Sequence, residues 1–184
     1  MKMVKRLAIA MIAGVMLFDA PDFPIKSAVP VVETVEQETA EAKQTDGFKA
    51  YRIHGVTPPI EWQKALYADL SRNGIAWYMP YAVCQIFQES RWNQYSDNGQ
   101  DRGITQQKEI YWSGRAARYG VRGASIWDVY AQFKVFSGMM AGYLKMASND
   151  IGWALSYYFY GNGQRADKYV HDVYSHMPFL EEVN

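Results

Sequence analysis

From Ile126 to Leu144, apolar residues recur every three or four positions, as Ile126, Val129, Phe133, Phe136, Met140, Tyr143 and Leu144. That spacing is the period of one helix face. An apolar stripe this long is stable only when other elements cover it, so it dictates a helical core around itself. The stripe reads as packing surface rather than as a cofactor site. Ser125, with Asp128 three residues on, supplies a capping-box-like start.

The same period recurs through most of the chain. Thr57 and Pro58-Pro59 can open a helix whose Ile60, Trp62, Leu66 and Leu70 face inward, ending near Asn73-Gly74. A second helix is expected over 80–92, with Pro80 at a first-turn position where a missing N–H costs nothing. Weaker helical character runs over 108–119 and stops at Gly120. Ile151–Tyr160 reads as a short aromatic helix ending at Gly161-Asn162-Gly163, and Asp167–Ser175 as the last helix. No run of strands stands out, apart from a small hairpin allowed in the 94–106 loop. The expected fold class is therefore mostly α.

Charge and composition divide the 184-residue chain further. Residues 1–18 have a basic start and about a dozen apolar residues, the layout of an export signal. That run is short of the roughly 20 apolar residues that span a bilayer. Residues 1–28 are read as an export signal or a weak membrane tether, with cleavage and retention both open. Residues 29–46 contain one Lys and five acidic residues and no aromatic residue, and are read as an acidic flexible spacer. Residues 47–184 have fourteen Lys or Arg and twelve acidic residues, close to neutral. Nothing there resembles a nucleic-acid footprint. One cysteine, Cys84, excludes an internal disulfide, and it reads as a small hydrophobe within a helix. His54, His171 and His176 are far apart with no motif linking them, so neither a metal site nor a cofactor is expected.

The chemistry-bearing stretch is 80–106. Val83, Ile86 and Phe87 mark a buried helix face, and Glu89 closes that helix. A carboxyl group there lies against the negative end of the helix dipole and near apolar groups. Both effects raise its pKa toward the range of a general acid at neutral pH. For a lone Glu, a solvated helix end is the more common outcome. A polar loop carrying Asp97 and Asp101 follows, then Gly103-Ile104-Thr105-Gln106. The run 97–101 lacks the ligands and closing Glu of a calcium loop.

Three stretches in order, Glu89-Ser90 with Trp92, then Gly103-Ile104-Thr105-Gln106, then the run 154–163 with Tyr169-Val170, resemble the lytic transglycosylases of the lysozyme superfamily. The resemblance covers roughly residues 58–177 and implies a lysozyme-like helical domain over 47–184. It implies Glu89 as the catalytic acid and base, with Ser90 positioning it or contacting substrate. It places Gln106 along the glycan groove and the Tyr158 hydroxyl near the carboxyl of Glu89. The implied substrate is the peptidoglycan glycan strand, cleaved at its β-1,4 bond to leave a 1,6-anhydro product. The chain departs from the family pattern at Thr105, Phe159, Tyr160 and Asn162, and its Glu-to-Gly spacing is about one residue short.

Alternatives stay open. The segment Asp101-Arg102-Gly103 also resembles animal lysozymes and the specialised transglycosylases of secretion and conjugation systems. Asp101 is thus a possible second carboxylate of a hydrolytic muramidase, or equally a loop residue bonding nearby amides or Arg102. Bulk at Phe159 and Tyr160 suits an inactive glycan-binding or envelope assembly protein. A purely structural helical domain, with accidental motif matches, is the last alternative. An exported location and a secretion, conjugation or phage apparatus as partner accompany the wall-active readings.

Overall fold

The structure, a computed structural model, describes residues 46–183. The expected export segment and residues 29–45 of the expected spacer lie outside the described residues. The described part is mostly helical, with six α-helices and four short strands. In order they are β1 (Ala50–Ile53), α1 (Ile60–Arg72), α2 (Met79–Ser90), β2 (Asp101–Arg102), β3 (Gln107–Lys108), α3 (Glu109–Arg118), α4 (Val129–Met146), α5 (Ile151–Tyr160), α6 (Asp167–Ser175) and β4 (Leu180–Val183).

Helix α4 is the central wall. Its Phe133, Phe136, Met140 and Leu144 enter the main core with Leu66 and Leu70 of α1 and Ile86 of α2. Its opposite side, Ala131, Val135 and Met139, closes a smaller cluster with Trp112 and Ala116 of α3. A helix buried on both sides explains why its apolar stripe is so long. The helix starts later than the stripe implies. Asp128 is the N-cap and accepts from the Ala131 N–H at 3.1 Å. Ser125 instead folds the preceding turn through Trp127 N at 3.2 Å, leaving Ile126 outside the helix. Gly138 lies where α4 meets the ring of Tyr119; a Cβ there would fall 2.4 Å from ring carbons. Gly138→Ala is therefore expected to destabilise by about 2–3 kcal/mol, although helix propensity alone favours Ala by about 1 kcal/mol. Urea unfolding of the two proteins distinguishes these signs.

Helix α1 begins and ends as its sequence suggests, with Asn73 as C-cap. Leu66 and Leu70 are fully buried, but Ile60 is 38% exposed at the first turn. Gln63 replaces it in the interior, accepting from Tyr51 N at 2.8 Å and donating to Tyr51 O at 3.0 Å. A polar side chain is buried here because it completes the edge of a strand.

That strand is one the sequence conceals. β1 pairs antiparallel with β4, from Ala50 opposite Val183 to Ile53 opposite Leu180. The two ends of the described chain are thus joined. Their closure also brings together His54 and His176, whose ring nitrogens lie 2.9 Å apart. Strand pairing thus joins two histidines that lie 122 residues apart in sequence. Among the described residues no group of three or more His, Cys, Asp or Glu could hold a metal ion. A small hairpin exists but reaches past the expected 94–106 loop: β2 pairs with β3, Asp101 opposite Lys108, and only the isolated bridge between Asp97 and Arg102 lies within those bounds. Cys84 is fully buried, and burial pushes its thiol up to about 12.

Candidate active site

Helix α2 ends abruptly after Ser90. Arg91 (φ 54°) and Trp92 (φ 62°) both adopt the left-handed conformation, which side-chain-bearing residues rarely take. Two such residues in succession cost on the order of 1–2 kcal/mol each, and the surrounding bonds hold them there. Arg91 N–H donates to Phe87 O at 2.9 Å. Trp92 turns inward, donating from its indole to Val83 O at 3.3 Å. The helix therefore stops with Glu89 and Ser90 at its last turn, and the chain leaves sideways into the loop that carries Asp97 and Asp101.

The Gly103–Gln106 turn is fixed to α2 and α4. Ser90 Oγ donates to Ile104 O at 2.7 Å, tying the turn to the residue beside Glu89. Gln132, in the first turn of α4, accepts from Thr105 N at 2.7 Å and from Thr105 Oγ1 at 2.9 Å. Its amide nitrogen donates to Arg102 O at 3.1 Å and also to Ile126 O. Gly103 (φ 78°) has no room for a side chain beside this amide.

Glu89 is partly buried, and its Oε1 accepts a hydrogen bond from the Tyr169 hydroxyl of α6. Burial is the main cause that pushes its carboxyl up to about 8, with the nearby Asp101 adding repulsion; the Tyr169 bond acts in the opposite sense. The phenols of Tyr169 and Tyr158 are held well above their ordinary range, first by burial and then by the charge of Glu89. A carboxyl group in this setting is a protonated acid at neutral pH. It is also the base that results once the proton leaves, because Tyr169 donates to the ionised form.

Ser90, Asp101 and Tyr158 thus belong to the surroundings of Glu89, but with roles partly different from those expected. The Tyr158 hydroxyl does not bond Glu89; it donates to Thr105 O at 2.5 Å and accepts from Gln107 Nε2 at 2.8 Å. Tyr169 makes the expected phenol contact instead. Tyr158 points from α5 under the turn, whereas α6 runs beside α2 and puts its first tyrosine on the carboxyl. Gln106 does not present a free amide to a groove. It donates to Gly103 O at 2.8 Å and Ser96 O at 3.1 Å, and accepts from Asn98 at 3.3 Å, so it braces its own loop. Asp101 is half-buried in β2 and accepts from Asn98 Nδ2 at 3.3 Å. Arg102 pairs with Asp97 at 3.3 Å and with Glu109 instead of with Asp101.

Other residues of the site escape sequence reasoning. Gln107 is fully buried and links Tyr158, Thr105 and Arg115, the last donating to it at 2.8 Å. Nothing local distinguishes Gln107 from Gln106; the left-handed φ of 48° at Gln106 decides which one turns inward. Gln85 donates to the Tyr169 hydroxyl at 3.2 Å. It precedes Glu89 by four residues, so helical periodicity alone places the two on one face of α2. Aromatic pairs lie on Tyr169 and in the loop that follows Glu89. Phe159 stacks on Tyr169 with centroids 4.7 Å apart, and Tyr95 leans on Trp127 at 6.2 Å.

A cleft of about 550 Å³ lies elsewhere, lined by Asp69, Arg72, Arg122 and Lys134 among others. It holds a raised acid of its own, Asp69, pushed up to about 6 by burial, but Arg72 donates to that carboxylate at 2.6 Å and ties it into an ion pair, the usual structural reason for a shifted carboxyl. Compared with known proteins, the chain matches no family model, no curated protein and no solved structure.

Proposed function

We propose that this protein is a peptidoglycan lytic transglycosylase with Glu89 as its one acid and base. The observation that carries the reading is the Glu89 carboxyl, pushed up to about 8 by burial while a phenol donates to it. The resemblance of the three ordered motifs supplies the substrate class. Protonated Glu89 donates to the bridging oxygen of the β-1,4 bond between N-acetylmuramic acid and N-acetylglucosamine, and the C1–O bond breaks. The substrate's own acetamido group stabilises the cationic C1. Ionised Glu89 then takes the proton of the muramoyl C6 hydroxyl, whose oxygen closes on C1 to form the 1,6-anhydro ring. No water is consumed, and Glu89 ends protonated as it began. Ser90 holds the helix end against the turn, and the aromatic side chains beside Tyr169 offer faces to sugar rings.

A second reading rests on Asp101. Its charge reaches Glu89, so a two-carboxylate muramidase with water as nucleophile is the hydrolytic alternative. Phe159, stacked over Tyr169 and 50% exposed, favours a third, an inactive glycan-binding or assembly protein. The proposed setting is the cell envelope after export, with a secretion, conjugation or phage apparatus as the partner that localises cleavage. Digestion of purified peptidoglycan followed by mass analysis of the muropeptides separates these readings. Products lighter by one water than the hydrolytic ones are expected. Reducing ends alone identify the muramidase, and wall binding without release identifies the binder.

A further inference from the structure

Glu89 sits at the end of a buried chain of hydrogen bonds that begins at the N-terminal end of α2. The Tyr78 hydroxyl donates to Gln85 Oε1 at 2.8 Å, Gln85 Nε2 donates to the Tyr169 hydroxyl at 3.2 Å, and Tyr169 donates to Glu89 Oε1. Tyr78 and Gln85 are fully buried, and Tyr169 nearly so. Each link restricts the next. A phenol has one hydrogen, and Gln85 already occupies the Tyr169 oxygen as a donor, so that hydrogen has only Glu89 to meet. The Gln85 amide cannot turn over, because its nitrogen would then face the hydrogen of Tyr78 and two donors would meet in a dry site.

We infer that Tyr78 and Gln85 are positioning residues that lock the Tyr169 hydrogen onto Glu89 Oε1 in both charge states, so that the transferable proton of Glu89 resides on Oε2. Among the described residues Oε2 makes no hydrogen bond, so it is the oxygen left to meet a ligand. The inference deepens the proposed function, since it names which carboxyl oxygen gives and takes the proton. It rests on that reading for its catalytic meaning, but the hydrogen-bond order stands on geometry alone. The groups facing Glu89 are Asp101 from β2, Tyr158 from α5 and Tyr169 from α6. Neither Tyr78 nor Gln85 hydrogen-bonds Asp101 or Tyr158, and Tyr169 is the group that links them to Glu89, so a shift caused there is expected to travel through Tyr169.

The test is the titration of the Glu89 side-chain carbon by NMR in the full-length protein, which needs no substrate. Among the described residues Tyr169 is the one donor to the carboxylate, so Tyr169→Phe is expected to move the midpoint to higher pH than in the wild type. Tyr78→Phe, two links away, frees Gln85 to turn its oxygen toward Tyr169, which then donates to Gln85. The Glu89 midpoint is expected to rise in the same direction, by no more than in Tyr169→Phe. Gln85→Met leaves Tyr169 able to donate to Glu89 and only frees the phenol oxygen to accept from the protonated carboxyl, so its shift is expected to be upward and the smallest of the three. An unmoved midpoint in Tyr78→Phe, with a shifted one in Tyr169→Phe, overturns the relay; so does a downward shift in either. A purely structural role lowers stability without moving the titration. Absence of wall cleavage would refute the proposed reaction while leaving these midpoints measurable.

Discussion

Glu89→Gln is expected to reduce peptidoglycan cleavage by about a thousand-fold, within the range for loss of a general acid and base, while making the protein more stable at alkaline pH. The amide keeps the shape of the carboxyl group and still accepts from Tyr169, but it neither gives nor takes a proton. The stability effect follows from the raised pKa. An unfolded Glu ionises near 4.5, whereas the folded carboxyl holds its proton to about 8. Native Glu89 therefore binds the extra proton between those values. Its contribution is fully present below 4.5 and is lost as pH rises through about 8. The complete displacement corresponds to roughly 4–5 kcal/mol. Because Glu89 keeps some contact with water, about 2–3 kcal/mol is the expected difference. Denaturant unfolding of wild type and variant at pH 5 and pH 9 measures it, since the groups common to both cancel. Retained turnover removes Glu89 from the chemistry, and a pH-independent stability difference removes it from the buried setting.

Gly103→Ala is expected to be the most damaging single change in the loop. Its Cβ would lie 1.6 Å from Gln132 Nε2 and 2.6 Å from Gln132 Cδ, at a backbone φ of 78°. Gln132 cannot step aside without releasing Thr105, Arg102 and Ile126 together. Left-handed strain of about 1–2 kcal/mol and loss of buried hydrogen bonds at about 1 kcal/mol or more each add to roughly 4 kcal/mol. Gly99 offers the control. Its φ is 92° but nothing lies within 4 Å, so Gly99→Ala bears the backbone strain alone. Equal unfolding midpoints for the two variants would show that the Gln132 brace does not hold the turn. A larger loss for Gly103→Ala, accompanied by loss of wall cleavage, ties the turn to the site.

The chain itself dictated most of its helices and several of their stops; α2 is the exception, expected to reach Trp92 but ended at Ser90 by the left-handed turn at Arg91 and Trp92. Apolar residues at helical spacing required α1, α2, α4, α5 and α6, and the left-handed glycines Gly74, Gly120 and Gly161 mark where the chain turns away after α1, α3 and α5. It also dictated that a carboxyl group would lie at the end of an apolar helix, which is enough to suspect a raised pKa. Periodicity says which face of a helix is buried, but not what covers it. Only the tertiary structure decided that Tyr169 rather than Tyr158 meets Glu89, eighty residues away in sequence, and that Gln107 rather than Gln106 goes inside. The same holds for β1 and β4, four residues each, whose pairing no local pattern announces because each depends on a partner at the other end of the described chain. Contacts between distant segments depend on how whole helices are placed, and that placement is settled by packing around α4.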